Sequence, residues 1–208
     1  MTKKVGIVTI NDNNNYGNRL QNYAVQKKIQ SLDCDSITLK NHVTINSKDK
    51  FFIRVIKFIS KNYKNKTKQR EKYFIDFNKN IIFSSNYITP YSRIKNKFDA
   101  FIVGSDQVWN PNFGRLRDVD LLCFANDNQR IAFSASFGIS ELPEEYKEKT
   151  ANELKKFKAI SVREDDGKKI VEELTGRNDV EVLVDPTMLL SADEWDKVSK
   201  KPKQLKTN

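Results

Sequence analysis

Four short stretches carry the residue types that hold anions and hydroxyls. The first is the loop Asn11-Asp12-Asn13-Asn14-Asn15-Tyr16-Gly17-Asn18, with Arg19 directly behind it. The second is Gly104-Ser105-Asp106-Gln107-Val108-Trp109-Asn110-Pro111, the third Ala135-Ser136-Phe137-Gly138, and the fourth Arg163-Glu164-Asp165-Asp166-Gly167. Each follows an apolar, β-branched run of strand character: Val5 to Ile10, Phe98 to Val103, Arg130 to Ser134 and Ala159 to Val162. A fifth run, Val180 to Val184, ends in Asp185-Pro186-Thr187. In an open parallel sheet the crevice beyond the carboxyl ends of the strands is where ligands bind, and an uncapped helix N-terminus there favours an anion. Gly17 is the residue of the first loop expected to need positive φ. Gly104 permits close backbone approach, Ser105 or Asp106 would cap a following helix, and Trp109 with Asn110 would form a flat wall beside a hydrogen-bonding neighbour. The blander reading of the same residues makes Asp106 only a cap and Trp109 only core.

The elements that must position these loops alternate. After the first loop, Leu20, Tyr23, Ala24, Lys27 and Ile29 recur at helical spacing, and Asp35 to Asn41 reads as a second strand. Pro143 to Phe157 is helical, with glutamates early and lysines late as the helix dipole favours; a further helix runs from Arg163 to Leu174 and closes at Gly176. Strands alternating with helices predict an α/β fold: a doubly wound, mostly parallel, Rossmann-like sheet of about six strands with right-handed crossovers. Residues 1–190 form that domain, 45–80 a Lys-rich helical insertion, and 191–208 the start of a linker or of a truncated C-terminal domain. The insertion carries two aromatic stripes, Phe51, Phe52, Val55, Ile56, Ile59 and Tyr73, Phe74, Phe77, Ile81. Both are expected to pack on the sheet; the sharper alternative lays the first, with its lysines, on an anionic membrane surface.

Composition narrows the class. Apolar residues make up 38% of the 208, aromatics 11% and charged residues 31%, with a mean hydropathy of −0.66. That excludes a disordered chain and an integral membrane protein, and nothing directs the chain out of the cytoplasm. The net charge of +10 favours acidic partners, but the lysines are spread along the chain without interleaved aromatics, so nucleic acid is not expected. Cys34 and Cys123 stand apart with no ligand pattern and are expected to be buried, inert thiols. One histidine, His42, cannot build a His-based metal site, and no metal is expected.

Four blocks then occur in order: Asn15-Tyr16-Gly17-Asn18-Arg19-Leu20-Gln21-Asn22-Tyr23-Ala24, Phe98 to Asn110, Ser161-Val162-Arg163-Glu164, and Val184-Asp185-Pro186-Thr187. In order and spacing they resemble the polysaccharide pyruvyl transferase family, from the first strand to about Trp195. The resemblance implies the N-terminal half of a GT-B-like bacterial enzyme that transfers the pyruvyl group of phosphoenolpyruvate to a sugar as a ketal. Members serve exopolysaccharide and cell-wall synthesis. Phosphoenolpyruvate is then a donor substrate and no cofactor is needed. The partner is a sugar or glycan acceptor, lipid-linked at the inner face of the membrane in one version. The resemblance also implies a second domain, on this chain or a partner, without which little activity is expected. Arg163 becomes the donor-binding arginine and Asp106 a base for the acceptor hydroxyl, provided burial raises its pKa. Asn15, Tyr16, Gly17, Asn18 and Arg19 would line the cleft, and Gly104, Ser105, Gln107, Trp109, Asn110 and Ser136 would approach the substrates. A structural pairing of Arg163 with Glu164 or Asp185 is the competing reading. A non-catalytic anion- or sugar-binding domain and a GT-B-type glycosyltransferase are the competing functions.

Overall fold

The computed structural model describes residues 2–13, 15–41 and 63–200, with side chains for all of these except 63–69. His42 and the stripe from Phe51 to Ile59 lie outside the described residues. Seven strands are present among the described residues: β1 (Lys3–Val8), β2 (Cys34–Asn41), β3 (Phe83–Ile88), β4 (Ala100–Val103), β5 (Arg130–Ala135), β6 (Ala159–Val162) and β7 (Glu181–Val182). They form one sheet in the order β3-β2-β1-β4-β5-β6-β7, and every neighbouring pair is parallel. The order reverses between β1 and β4, where Val5 to Val8 pairs with Ala100 to Val103. This is the Rossmann-like, doubly wound arrangement, and its switch point lies between the first loop and the Gly104 loop.

The expected six strands become seven because β3 carries no pattern. Its sequence Phe-Ser-Ser-Asn-Tyr-Ile has an exposed middle at the sheet edge, where only its last residue is buried. At the opposite edge β7 keeps two ladder residues, although Val182, Leu183 and Val184 are apolar and exposed.

Helices cover both faces: α1 (Tyr16–Gln30), α2 (Tyr63–Phe77), α3 (Glu144–Leu154), α4 (Asp165–Thr175) and α5 (Ala192–Asp196). Val5 and Ile7 pack toward Val25 and Ile29 of α1. Val8, Phe101 and Val103 turn to the other face, into a larger core with Leu154, Ile170 and the loop residues Trp109, Leu121 and Leu122. This is the alternation a pleated strand requires.

Three local expectations are corrected. No helix follows β4; the chain runs through turns and a 3-10 segment, Pro111–Phe113, because buried Trp109 and Val108 tie the loop down to the core. The stripe of α2 packs chiefly on α1, with Phe74 stacked on Tyr16 and Phe77 set edge-on to Tyr23. The covered face of α1 is largely polar, while Leu20 of the expected stripe is exposed. Gln26 explains why such a face can be buried: its Nε2 donates to Ile82 O, which also accepts from Thr38 N, and its Oε1 accepts from Ile82 N, so both ends of the side-chain amide are paired with backbone just before β3. After β7 the chain returns to α1, where Trp195 and Val198 join the cluster around Tyr23.

Candidate functional site

Loops from four strand ends meet in a cavity of about 480 Å³. The first turn of α1 contributes Asn15, Gly17 and Gln21, the β4 loop Asp106, the end of β6 Arg163, and the chain after β7 Asp185 and Thr187. Gly17 and Arg163, 146 positions apart in sequence, therefore line one space.

Asn15 is the N-cap of α1, its Oδ1 accepting from Gly17 N at 2.8 Å. The helix thus opens at Tyr16 with a capped end, not uncapped as expected, because Asn satisfies the free N–H groups of a first turn. Gly17 lies within that turn, and positive φ belongs instead to Gly104 (123°) and Asp106 (68°). Gln21, which the sequence reading passed over, ties three segments together: its Nε2 donates to Thr9 Oγ1 and its Oε1 accepts from Ser105 N at 2.9 Å. Its position one helical turn after Gly17 was the available signal.

Arg163 is the centre of charge. Its Nη1 donates to Asp185 Oδ2 at 3.1 Å, its Nη2 lies 3.7 Å from Asp106 Oδ1, and its Nε lies 3.8 Å from Glu164 Oε2. The side chain is 28% exposed, so it faces the cavity while ringed by three carboxylates. Two of those carboxylates are themselves fixed. Asp185 Oδ1 accepts from Thr187 N and Oγ1, and Glu164 Oε1 accepts from the N–H groups of Phe137 and Gly138. Glu164 thereby takes up both of these N–H groups after β5. Asp106 accepts from Gln107 N at 2.8 Å and faces Arg163.

Several expected contacts lie beneath the cavity and not in it. Ser105 is wholly buried, its Oγ donated to Ser134 O, and Gly104 before it sits against Phe133 O. Trp109 is also wholly buried, packed on Phe137 and Phe157 with Nε1 donated to Asp120 O. It is core and not wall, since the absence of a helix after β4 folds the loop inward. Asn110 caps the 3-10 segment, accepting from Asn112 N, and its Nδ2 donates to Gln107 Oε1. Asn18 is buried with Nδ2 donated to Asp12 Oδ1, and Arg19 is buried with Nη2 donated to Ile10 O. Ser136 is buried too, its Oγ without a partner among the described residues. Tyr16 is half exposed and faces away from this cavity, toward α2.

Arg115, which no motif marked, lies 6% exposed below the same loops, with Nη2 3.9 Å from Asp12 Oδ2. Burial lowers its pKa, while Asp120, Asp12 and Asp106 pull the other way. Among the described residues no cluster of His, Cys, Asp and Glu is arranged to hold a metal ion, and no helix is long and apolar enough to cross a membrane. Cys34 and Cys123 are free and half-buried.

No curated protein and no solved structure matches this chain. The family model for polysaccharide pyruvyl transferase matches residues 15–207, from the N-cap of α1 to the residue before the last. A match over nearly the whole chain shows that this protein belongs to the polysaccharide pyruvyl transferase family.

Proposed function

We propose that the chain supplies the donor side of a transferase that moves the pyruvyl group of phosphoenolpyruvate onto two hydroxyls of a glycan, forming a cyclic ketal. The observation that carries this reading is the Arg163 guanidinium, held in a cavity at the switch point by one short contact and two long ones. A donor anion would exchange with Asp106, the long 3.7 Å contact, while Asp185 keeps the guanidinium oriented. Asp106 would then turn to the acceptor and take a hydroxyl proton. In the balanced reaction C3 of the enol gains a proton and becomes methyl, and C2 gains two C–O bonds. The C2–O bond to phosphate breaks, and phosphate leaves with the second hydroxyl proton. Cationic charge beside the leaving phosphate lowers the barrier most where water is excluded. The acceptor is a cell-surface glycan, lipid-linked at the cytoplasmic face of the membrane.

The test is calorimetric titration of phosphoenolpyruvate into the chain, followed by phosphate release with a panel of glycan acceptors. Binding that weakens at least tenfold in Arg163→Ala supports the donor role. Binding unchanged by that substitution, or absent from the folded wild-type chain, counts against it. The three carboxylates around Arg163 favour a second reading, a site that accepts hydroxyls of a neutral sugar without turnover. Sugar binding without any phosphoenolpyruvate binding would select it.

A further inference from the structure

The first turn of α1 has a second cavity on its other side, of about 430 Å³, bounded by the end of α2 and by Val198 to Lys200. Leu20 lines both cavities, so they are neighbours across one side chain. The walls of the second are aromatic. Tyr16 stacks on Phe74 with ring centroids 4.6 Å apart, and both Tyr16 and Tyr73 are more than half exposed.

Arg19 also lines this space, although it is only 1% exposed. Its Nη2 donates to Ile10 O and its guanidinium carbon lies 5.8 Å from the ring centre of Phe83, while Nε and Nη1 have no hydrogen-bond partner among the described residues. Burial brings its guanidinium down to about 10, partly offset by Asp12, which acts at longer range than an ion pair; the group stays charged at neutral pH. A buried cation with no direct ion pair is costly, and an anion that reached it would be held strongly. At the rim, the Asp76 carboxylate is already engaged by both Lys79 and Lys200, which leaves the local balance positive. Aromatic walls around one fixed polar anchor are the usual composition of a small-molecule pocket of this volume.

We propose that this cavity is a subsite for a pyranose ring bearing one anionic substituent, carboxylate or phosphate. The ring lies against Tyr16 and Tyr73, the substituent on Arg19, and the glycan acceptor is therefore itself acidic. The proposal rests on the reading of the chain as a glycan-modifying transferase. It adds that acceptor choice is made on the α2 side of α1, away from Arg163.

The test titrates the folded full chain with glucuronic acid, glucose 6-phosphate, glucose and inorganic phosphate. At least one acidic sugar is expected to bind ten or more times tighter than glucose. Arg19→Gln should reduce that sugar to the level of glucose, and Tyr73→Ala, at an exposed position that leaves the core intact, should weaken it several-fold. Arg163→Ala should leave acidic-sugar binding unchanged. Equal affinity for glucose and both acidic sugars would overturn the proposal. So would phosphate binding as tightly as the sugars, no effect of Tyr73→Ala, or loss of binding in Arg163→Ala. Phosphoenolpyruvate titrated in parallel reads the other cavity, so failure of the donor reading is seen separately from failure of this one.

Discussion

Gly104→Ala should be among the most damaging single-methyl additions in this chain, and its cost can be worked from two glycines. Gly104 closes β4 at φ 123°, and a Cβ there would stand 2.2 Å from the carbonyl oxygen of Phe133, on the neighbouring central strand. Gly176 follows the last turn of α4 at φ 71°, and a Cβ there would meet nothing within 4 Å. Gly176→Ala therefore isolates the conformational penalty of a left-handed residue, about 1 kcal/mol. Gly104→Ala adds a displacement of more than an ångström against backbone that cannot swing aside, which brings its total to roughly 3–4 kcal/mol. Urea unfolding followed by Trp fluorescence measures both, with Trp109 buried in the core as reporter. An unchanged denaturant slope would show that the native state lost stability and kept its compactness. The reasoning is refuted if the two substitutions cost the same, since Gly104 differs from Gly176 both in its contact with Phe133 and in a φ of 123°, beyond the left-handed region that φ 71° occupies. The same displacement would shift Ser105 and Asp106, so phosphoenolpyruvate binding should weaken in parallel.

Two further outcomes are expected. Glu153 is 18% exposed and accepts from Arg130 and Lys156 at 2.7 Å each. Burial alone would raise its carboxyl pKa, but hydrogen bonds from Lys156, Arg130 and Cys123 outweigh burial and hold it below the ordinary value. A carboxyl lowered in the fold stabilises above its unfolded pKa, near ~4.3, and that contribution fades as pH falls through the folded value. Glu153→Gln should thus cost about 2 kcal/mol at neutral pH, with the gap to wild type closing in acid. A gap that stays constant from neutral pH to pH ~3 would contradict the pairing. Burial, with Glu153 beside it, pushes the Cys123 thiol up to about 12. Its thiolate at pH ~8 is then about one part in ten thousand, so iodoacetamide should label it at least tenfold more slowly than in the unfolded chain. Peptide mapping by mass spectrometry reads this, and labelling at the unfolded rate would show that the half-buried thiol is not shielded beside Glu153 as described.

The parallel α/β order was legible in the sequence because it is written in periodicity. Runs such as Val5 to Ile10 and Ala159 to Val162 can be satisfied only between two covering layers, and Gly176 marks where a helix stops. The sequence also placed Gly17, Asp106 and Arg163 at strand ends, and parallel strands bring their ends to one edge. Edge strand β3 escaped notice, since a strand with an exposed middle has no apolar pattern to display. Which way the loop residues face was decided only by the tertiary structure. Ser105, Trp109 and Asn18 have the same residue types as ligand contacts, yet all three are buried. Loops have no repeat that distinguishes inside from outside, and a polar side chain bonded to backbone is spelled like one that waits for a substrate.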